Sequence, residues 1–228
     1  MRAEDVTVAH QSHAVQLAGT VVQAWSCRAL YWAPERTLLV ADMHLGKAAT
    51  LRHAGIAVPG GTGAATLERL AEVIALTRAE RVIVLGDLVH ARAGCTQALD
   101  ALVQAWRARQ PAFAWDLLGG NHDRSAGVDD SLLGRWGLGQ IAEGCVLGPF
   151  RLAHHPHAHP DAYVLCGHTH PAIRLQGPGR DRARLPCFWF GPTIGVLPAF
   201  GVLTGHFDVR PAAGDQVLAV GDGFIQPV

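Results

Sequence analysis

Five short apolar runs, each ending in histidine, aspartate or asparagine, dominate this sequence. Leu38-Leu39-Val40-Ala41 opens onto Asp42-Met43-His44, Val82-Ile83-Val84-Leu85 onto Gly86-Asp87, and Phe113 to Leu118 onto Gly119-Gly120-Asn121-His122-Asp123. Phe150 to Ala153 leads to His154, and Tyr163 to Cys166 leads to Gly167-His168-Thr169-His170. An apolar run of this length bounded by turn residues reads as a strand. Five strands that each release metal-ligand side chains at their ends point to one chemistry.

Between these runs the text alternates. Residues from Val6 to Val40, broken by Gly19 and Pro34, read as an opening β-meander that leads to the strand Thr37 to Ala41. A long loop is expected from Asp42 to Gly61, then a helix over Ala64 to Arg78 capped by Thr62, with Leu67, Leu70, Ala71 and Ile74 on one face. The strand Arg81 to Leu85 completes a βαβ unit. Thr96 is placed to cap a helix running to Arg109, with Leu99, Leu102, Val103 and Trp106 as its apolar stripe, and Pro111 ends it. A short helix is expected around Asp130 to Trp136, followed by strands at Cys145 to Ala153 and Ala162 to Cys166. Beyond His170 the pattern becomes strands and turns: Ile173 to Leu175, Ala183 to Phe190, Gly201 to Thr204, Gln216 to Val220 and Phe224 to Val228. An α/β core with a second, more antiparallel sheet is implied. With no linker or repeat to divide it, the chain reads as one domain over residues 1–228.

Zero formal net charge, 49% hydrophobic and 17% charged residues exclude a disordered or polybasic chain, so bulk electrostatics does not draw it to nucleic acid. The five cysteines lack a Cys-x-x-Cys pair, which argues against a disulfide framework or zinc knuckle and suits a reducing cytoplasm. No secretion signal or membrane span is expected, since the long uncharged stretch Leu185 to Phe207 is broken by three prolines.

Asp42 and His44, at i and i+2, would point to one side of an extended strand end and grip one ion, with Asp87 and His170 completing the set. Asn121, His154 and His168 supply a second set, and the two oxygens of Asp87 can reach both. Two ions roughly 3.5–4 Å apart form a clamp for phosphoryl chemistry. Histidine and oxygen donors without thiolate suit manganese, iron or zinc. His122, beside Asn121, is the candidate general acid, with Asp123 as the group that orients and charges it. Any one of these motifs alone reads more simply as a turn; their coincidence in one chain is what carries the metal reading.

The remaining candidates are weaker. His155 rivals His154, while His157 and His159 read as solvated. His53, His90 and His206 could line a pocket; His10 and His13 read as surface. Arg52 and Arg92 lie in loops leaving ligand-bearing strands and are candidates, with His90, for holding a phosphate. Arg174, Arg180, Arg182 and Arg184 flank Gly177-Pro178-Gly179, where a solvated hairpin is the simpler reading than a nucleic-acid contact.

Taken together, Asp42-x-His44, Gly86-Asp87, Gly120-Asn121-His122-Asp123, His154 and Gly167-His168-x-His170 resemble the motif set of the calcineurin-like metallophosphoesterases. The flanking Gly46-Lys47-Ala48-Ala49, Gly86-Asp87-Leu88-Val89-His90-Ala91-Arg92, Leu185-Pro186-Cys187-Phe188 and Leu197-Pro198-Ala199-Phe200 are similar to the bacterial DNA ligase-associated metallophosphoesterases, relatives of nuclease subunits of the SbcD and Mre11 type. The resemblance implies an αββα sandwich of two mixed sheets flanked by helices. It places a dimetal site at strand C-terminal ends, usually with manganese. It also implies an endonuclease of DNA repair acting on single-stranded or damaged DNA, beside a DNA ligase, a helicase and an exonuclease, and a homodimer by analogy. This chain departs from the pattern at His90, where relatives carry an acidic residue, and at Thr204-Gly205-His206, where a second glycine is expected. The alternatives are a phosphodiesterase or phosphatase for small or cyclic nucleotides, and a non-catalytic scaffold with a vestigial metal site.

Overall fold

A computed structural model describes residues 10–177 and 182–228. Val6, where the meander was expected to begin, and Pro178, Gly179 and Arg180 of the hairpin lie outside the described residues.

The first sheet holds seven strands in sequence order: β1 (Ser12–Leu17), β2 (Thr20–Trp25), β3 (Ala29–Trp32), β4 (Thr37–Val40), β5 (Arg81–Leu85), β6 (Ala114–Leu118) and β7 (Gly139–Ile141). Strands β1 to β4 pair antiparallel and β4 to β7 pair parallel. The change follows from the connections. Tight turns allow only antiparallel neighbours, whereas parallel pairing needs a crossover of a dozen or more residues. The helices α1 (Lys47–His53), α2 (Thr62–Thr77), α3 (Gln97–Arg109), α4 (Asn121–Ala126) and α5 (Asp130–Trp136) lie in those crossovers.

Period-two geometry divides the strand residues between two cores. Leu38, Val40, Val82, Val84, Trp115 and Leu117 pack beneath the helices, against Leu67, Leu70, Val103, Trp106 and Trp136. Leu39, Ala41, Ile83, Leu85 and Leu118 face the other way and meet the second sheet.

That second sheet is formed by β8 (Val146–Leu147), β9 (Phe150–Leu152), β10 (Tyr163–Cys166), β11 (Pro171–Gln176), β12 (Arg182–Phe190), β13 (Ile194–Val196), β14 (Phe207–Asp208), β15 (Gln216–Val220) and β16 (Ile225–Pro227). Its order is β14-β11-β12-β13-β10-β9-β8, with β15 also paired to β12 and β16 to β15. Phe150, Leu165, Phe188 and Phe190 send their side chains into the core between the sheets. The architecture is therefore two mixed sheets packed face to face and flanked by helices, as expected.

Several local expectations change. The loop predicted over Asp42 to Gly61 contains α1. Thr62 is inside α2 and does not cap it: Gly61 takes the cap position at φ 81°, and the Thr62 carbonyl accepts from Thr66. Thr96 does cap α3, through its hydroxyl to the Leu99 amide. The strand predicted at Cys145 to Ala153 is a hairpin, β8–β9. Gly201 to Thr204 forms bends rather than a strand, because its amides and carbonyls are taken up by neighbouring loops and side chains instead of a ladder. Strands β7, β13 and β14 and helix α4 are too short for periodicity to announce.

Candidate metal centre

Parallel strands β4, β5, β6, β9 and β10 all end at one edge of the two sheets. The residues that follow those ends converge there. Asp42, His44 and His170 can offer ligand atoms to one ion; Asp42, Asp87 and His154 form a second group, and His154, His155 and His168 a third.

The ring hydrogens identify which nitrogens face inward, because a carbonyl only accepts. His154 Nδ1 donates to Leu85 O at 2.9 Å, so its Nε2 presents a lone pair. That Nε2 sits 2.9 Å from Asn121 Oδ1, 3.1 Å from His168 Nδ1 and 3.4 Å from Asp87 Oδ1. His170 Nδ1 donates to Gly205 O at 3.2 Å, and its Nε2 lies 3.1 Å from His44 Nε2 and 3.6 Å from Asp42 Oδ1. Asp87 Oδ2 stands 3.9 Å from His44 Nε2, so its two oxygens face the two groups. Asp42 Oδ2 accepts from the His168 amide at 2.9 Å, while Asp42 Oδ1 is buried with no hydrogen-bond partner among the described residues. Acceptors crowded together and a buried orphan carboxylate oxygen are costly unless positive charge sits among them. The donor set fits two divalent cations.

Electrostatics agrees. Burial pushes the Asp87 carboxyl up, and repulsion from Asp42 adds to it against the opposing pull of His154 and the His122 amide. Burial, with neighbouring His170, His122, His90 and Lys47, drives His44 down to about 2, so its ring is neutral and free to ligate.

The backbone at this edge is unusual. Asp42, His44, Asp87, His168 and His170 all have positive φ, between 47° and 71°. Asp42 and His44 are therefore not on an extended strand end as their spacing predicts; two left-handed residues aim them inward instead. Strain of about 1–3 kcal/mol per residue is typical of functional sites. Glycines make room around it. A Cβ on Gly86 would strike the His154 ring, one on Gly120 would strike Asp87, and one on Gly167 would lie 2.7 Å from Asp42 Oδ2. Each glycine of the Gly-Asp, Gly-Asn and Gly-His pairs thus clears space for a candidate ligand from a different strand.

His122 is half exposed, with Nδ1 donating to His90 O at 2.6 Å and Nε2 facing the site 4.0 Å from Asp87 Oδ2. Asp123 corrects the sequence reading: its carboxylate does not orient His122. It is buried and accepts from the Val89 and Gly120 amides, both at 2.9 Å, pinning the loops that carry Asp87 and Asn121. The His90 carbonyl holds the imidazole instead.

His90 itself joins the cluster, with Nδ1 3.3 Å from His44 Nδ1 and its ring stacked on His122 at 4.9 Å. Burial, aided by Lys47 and His122, lowers it to about 4. His154 is fully buried at the junction of the two groups; His155 packs outside it, its ring 4.2 Å from that of His168. Arg52 and Arg92 are exposed, and neither side chain hydrogen-bonds or ion-pairs with the cluster among the described residues. Arg92 lies against Gly127, at the C-terminal end of α4. Arg174 and Arg184 are both tied to Asp208, the hairpin arrangement rather than a free cationic patch. Lys47 was missed: half buried at the start of α1, it acts electrostatically on both His44 and His90. A loop assignment for its segment hid that position.

Two mixed sheets with acid, amide and imidazole donors gathered at parallel strand ends define a metallophosphoesterase fold. No family model matches the chain, and no curated protein does. Among solved structures, the Pseudomonas putida nuclease MPE is 36% identical, with a TM-score of 0.82 over 96% of this chain and 100% of that one. A protein of unknown function from Aquifex aeolicus, AQ665, matches at 16% identity and a TM-score of 0.40 over 63% of this chain and 82% of that one, too slight a likeness to bear on function. The chain belongs to the metallophosphoesterase family of the Pseudomonas putida nuclease.

Proposed function

We propose that this protein is a two-metal phosphodiesterase that cuts nucleic acid, an endonuclease for single-stranded or damaged DNA. The observation that carries the reading is Asp87, whose two oxygens face two separate groups of donors. Asp42, His44 and His170 would hold one ion, Asn121, His154 and His168 the other, with Asp87 shared. Manganese suits this set, and iron or zinc are the alternatives. Bound there, two divalent ions supply charge against phosphate oxygens and acidify a water at neutral pH.

The chain's own groups do the rest. The His90 carbonyl keeps the His122 Nδ1 hydrogen engaged, so that Nε2 can carry the proton delivered to the departing oxygen. His90 and Lys47 add donors beside it. Arg52, Arg92 and Arg124 are exposed on α1, on the turn after β5 and on α4, elements that adjoin one another, and make no ion pair among the described residues. We assign them to contact with a phosphate backbone, and kinship with a nuclease favours that substrate over a small ester. We place the activity in the reducing cytoplasm, beside the ligase, helicase and exonuclease that the family resemblance suggests.

The test is to restore metal-stripped protein with manganese and offer it circular single-stranded DNA and, separately, 2′,3′-cyclic AMP, with Asp87→Asn as control. Cutting of the circle, absent in the control and weakening with salt as counterion release requires, supports the reading. Turnover of the cyclic nucleotide alone would move the substrate to small molecules.

A further inference from the structure

The segment from Leu197 to Gly205 touches both ends of the Asp42, His44 and His170 group. At its start, the Phe200 amide donates to Ala41 O at 2.8 Å and the Gly201 amide to Asp42 O at 3.2 Å. A Cβ on Gly201 would collide with the Met43 carbonyl, so backbone meets backbone there. At its end, Gly205 O accepts from His170 Nδ1 and so decides which nitrogen of that ring faces inward. Thr204 closes the turn by donating to Gly201 O at 3.2 Å.

This segment makes one isolated bridge, Ala199 to Ala41, and bends over Gly201 to Leu203, yet three successive carbonyls are held from distant parts of the chain. Arg28, in the turn between β2 and β3, donates from Nη1 to Ala199 O at 3.2 Å and Gly201 O at 3.3 Å. Arg69, on α2, donates to Phe200 O at 2.8 Å and lies 5.8 Å over the Phe200 ring. Both guanidinium groups are half-buried, and Arg69 repels Arg28; Asp222 attracts both and Glu72 attracts Arg69, but neither arginine forms an ion pair within 4 Å among the described residues. Burying charge is expensive, and two like charges under one loop are more so. The carbonyls, with the more distant charge of Asp222, offset that cost.

We infer that Arg28 and Arg69 are positioning residues for the Asp42, His44 and His170 half of the metal centre, acting through the Ala199–Gly201 carbonyls they hold. The inference rests on the two-metal reading above. Loss of groups that orient ligands lowers metal affinity about 10- to 100-fold, and because the segment bonds the Asp42 carbonyl and the His170 ring, the loss falls first on that half. In the other half His154 is anchored elsewhere, by Leu85 O, and the His168 amide, donating to Asp42 Oδ2, links that half to the clamped one.

The experiment titrates Mn(II) into metal-free wild type, Arg28→Met and Arg69→Met, following binding by calorimetry and by electron paramagnetic resonance. Wild type should pass to the exchange-coupled spectrum of a metal pair. Each variant should take up its first ion normally and its second about 10- to 100-fold more weakly, showing the six-line spectrum of isolated Mn(II) in between. Arg69→Lys, which keeps a charged donor, should recover part of the loss and serves if the methionine variants do not fold. Variants that load both ions like wild type, with only a lower melting temperature, would reduce the arginines to structural roles and overturn the inference. Wild type that binds no pair would instead overturn the two-metal reading itself, and the clamp with it.

Discussion

Gly120→Ala tests the packing of the site at its tightest point. Gly120 has φ −89° and ψ 179°, a conformation open to alanine, so the backbone offers no objection. The objection is steric. The added Cβ would lie 3.0 Å from Asp87 Cγ and nearer still to Asp87 Oδ1 and the Asp87 amide nitrogen. Restoring van der Waals separation requires a shift of about 1 Å. The shift must be taken by the loop that carries Asp87, whose Oδ1 also accepts from the His122 amide. Overpacking of this kind costs about 1–3 kcal/mol, which in a chain of this size lowers the melting temperature by roughly 2–12 °C. The larger effect is on function, since a misplacement of about 1 Å is worth roughly a hundredfold in rate. Gly119→Ala is the matched control, because a Cβ there meets nothing within 4 Å among the described residues. Thermal melts of the metal-free proteins, manganese titration and turnover of bis(p-nitrophenyl) phosphate give the three readouts. A Gly120→Ala protein indistinguishable from Gly119→Ala in all three would refute the reasoning.

His122→Ala should bind metal as wild type does but lose about 10²- to 10⁴-fold in turnover of DNA, and much less on aryl esters whose leaving groups need no proton; equal losses on both would remove its acid role. His154→Ala should load less metal than wild type, whereas His155→Ala should load normally, and metal analysis of the purified variants that gave the opposite order would exchange their roles. The Asp100 carboxyl is held below its ordinary value by the Trp136 indole, with Arg135 adding to it. Because the folded value is depressed, its stabilisation is present above the unfolded value near 4 and is lost as pH falls through the lower folded one. Asp100→Asn should therefore melt below wild type at neutral pH, with the gap closing in acid; a gap independent of pH would contradict that.

How much could be read from the text alone follows from where each feature is encoded. Apolar runs ending in Asp42, Asp87, Asn121, His154 and His168 are local, and so are the cap at Thr96 and the stripe of α3. The convergence of these ends follows once parallel strands are accepted, since parallel neighbours put like ends together. Other features are settled by distant partners. The left-handed turns at Asp42 and His44 depend on backbone bonds to Gly86 and Asp87. Asp123 sits next to His122 in sequence yet serves Val89, which periodicity cannot foresee. The irregular path of Gly201 to Thr204 is set by groups such as Arg28 and Thr66, reaching it from far along the chain.

The most direct test of the central claim is anomalous diffraction from crystals of the protein soaked in manganese. The account predicts two peaks within one cluster, the first among Asp42, His44 and His170, the second among Asn121, His154 and His168, with the Asp87 carboxylate between them. A single peak, or manganese bound away from Asp87, would contradict it.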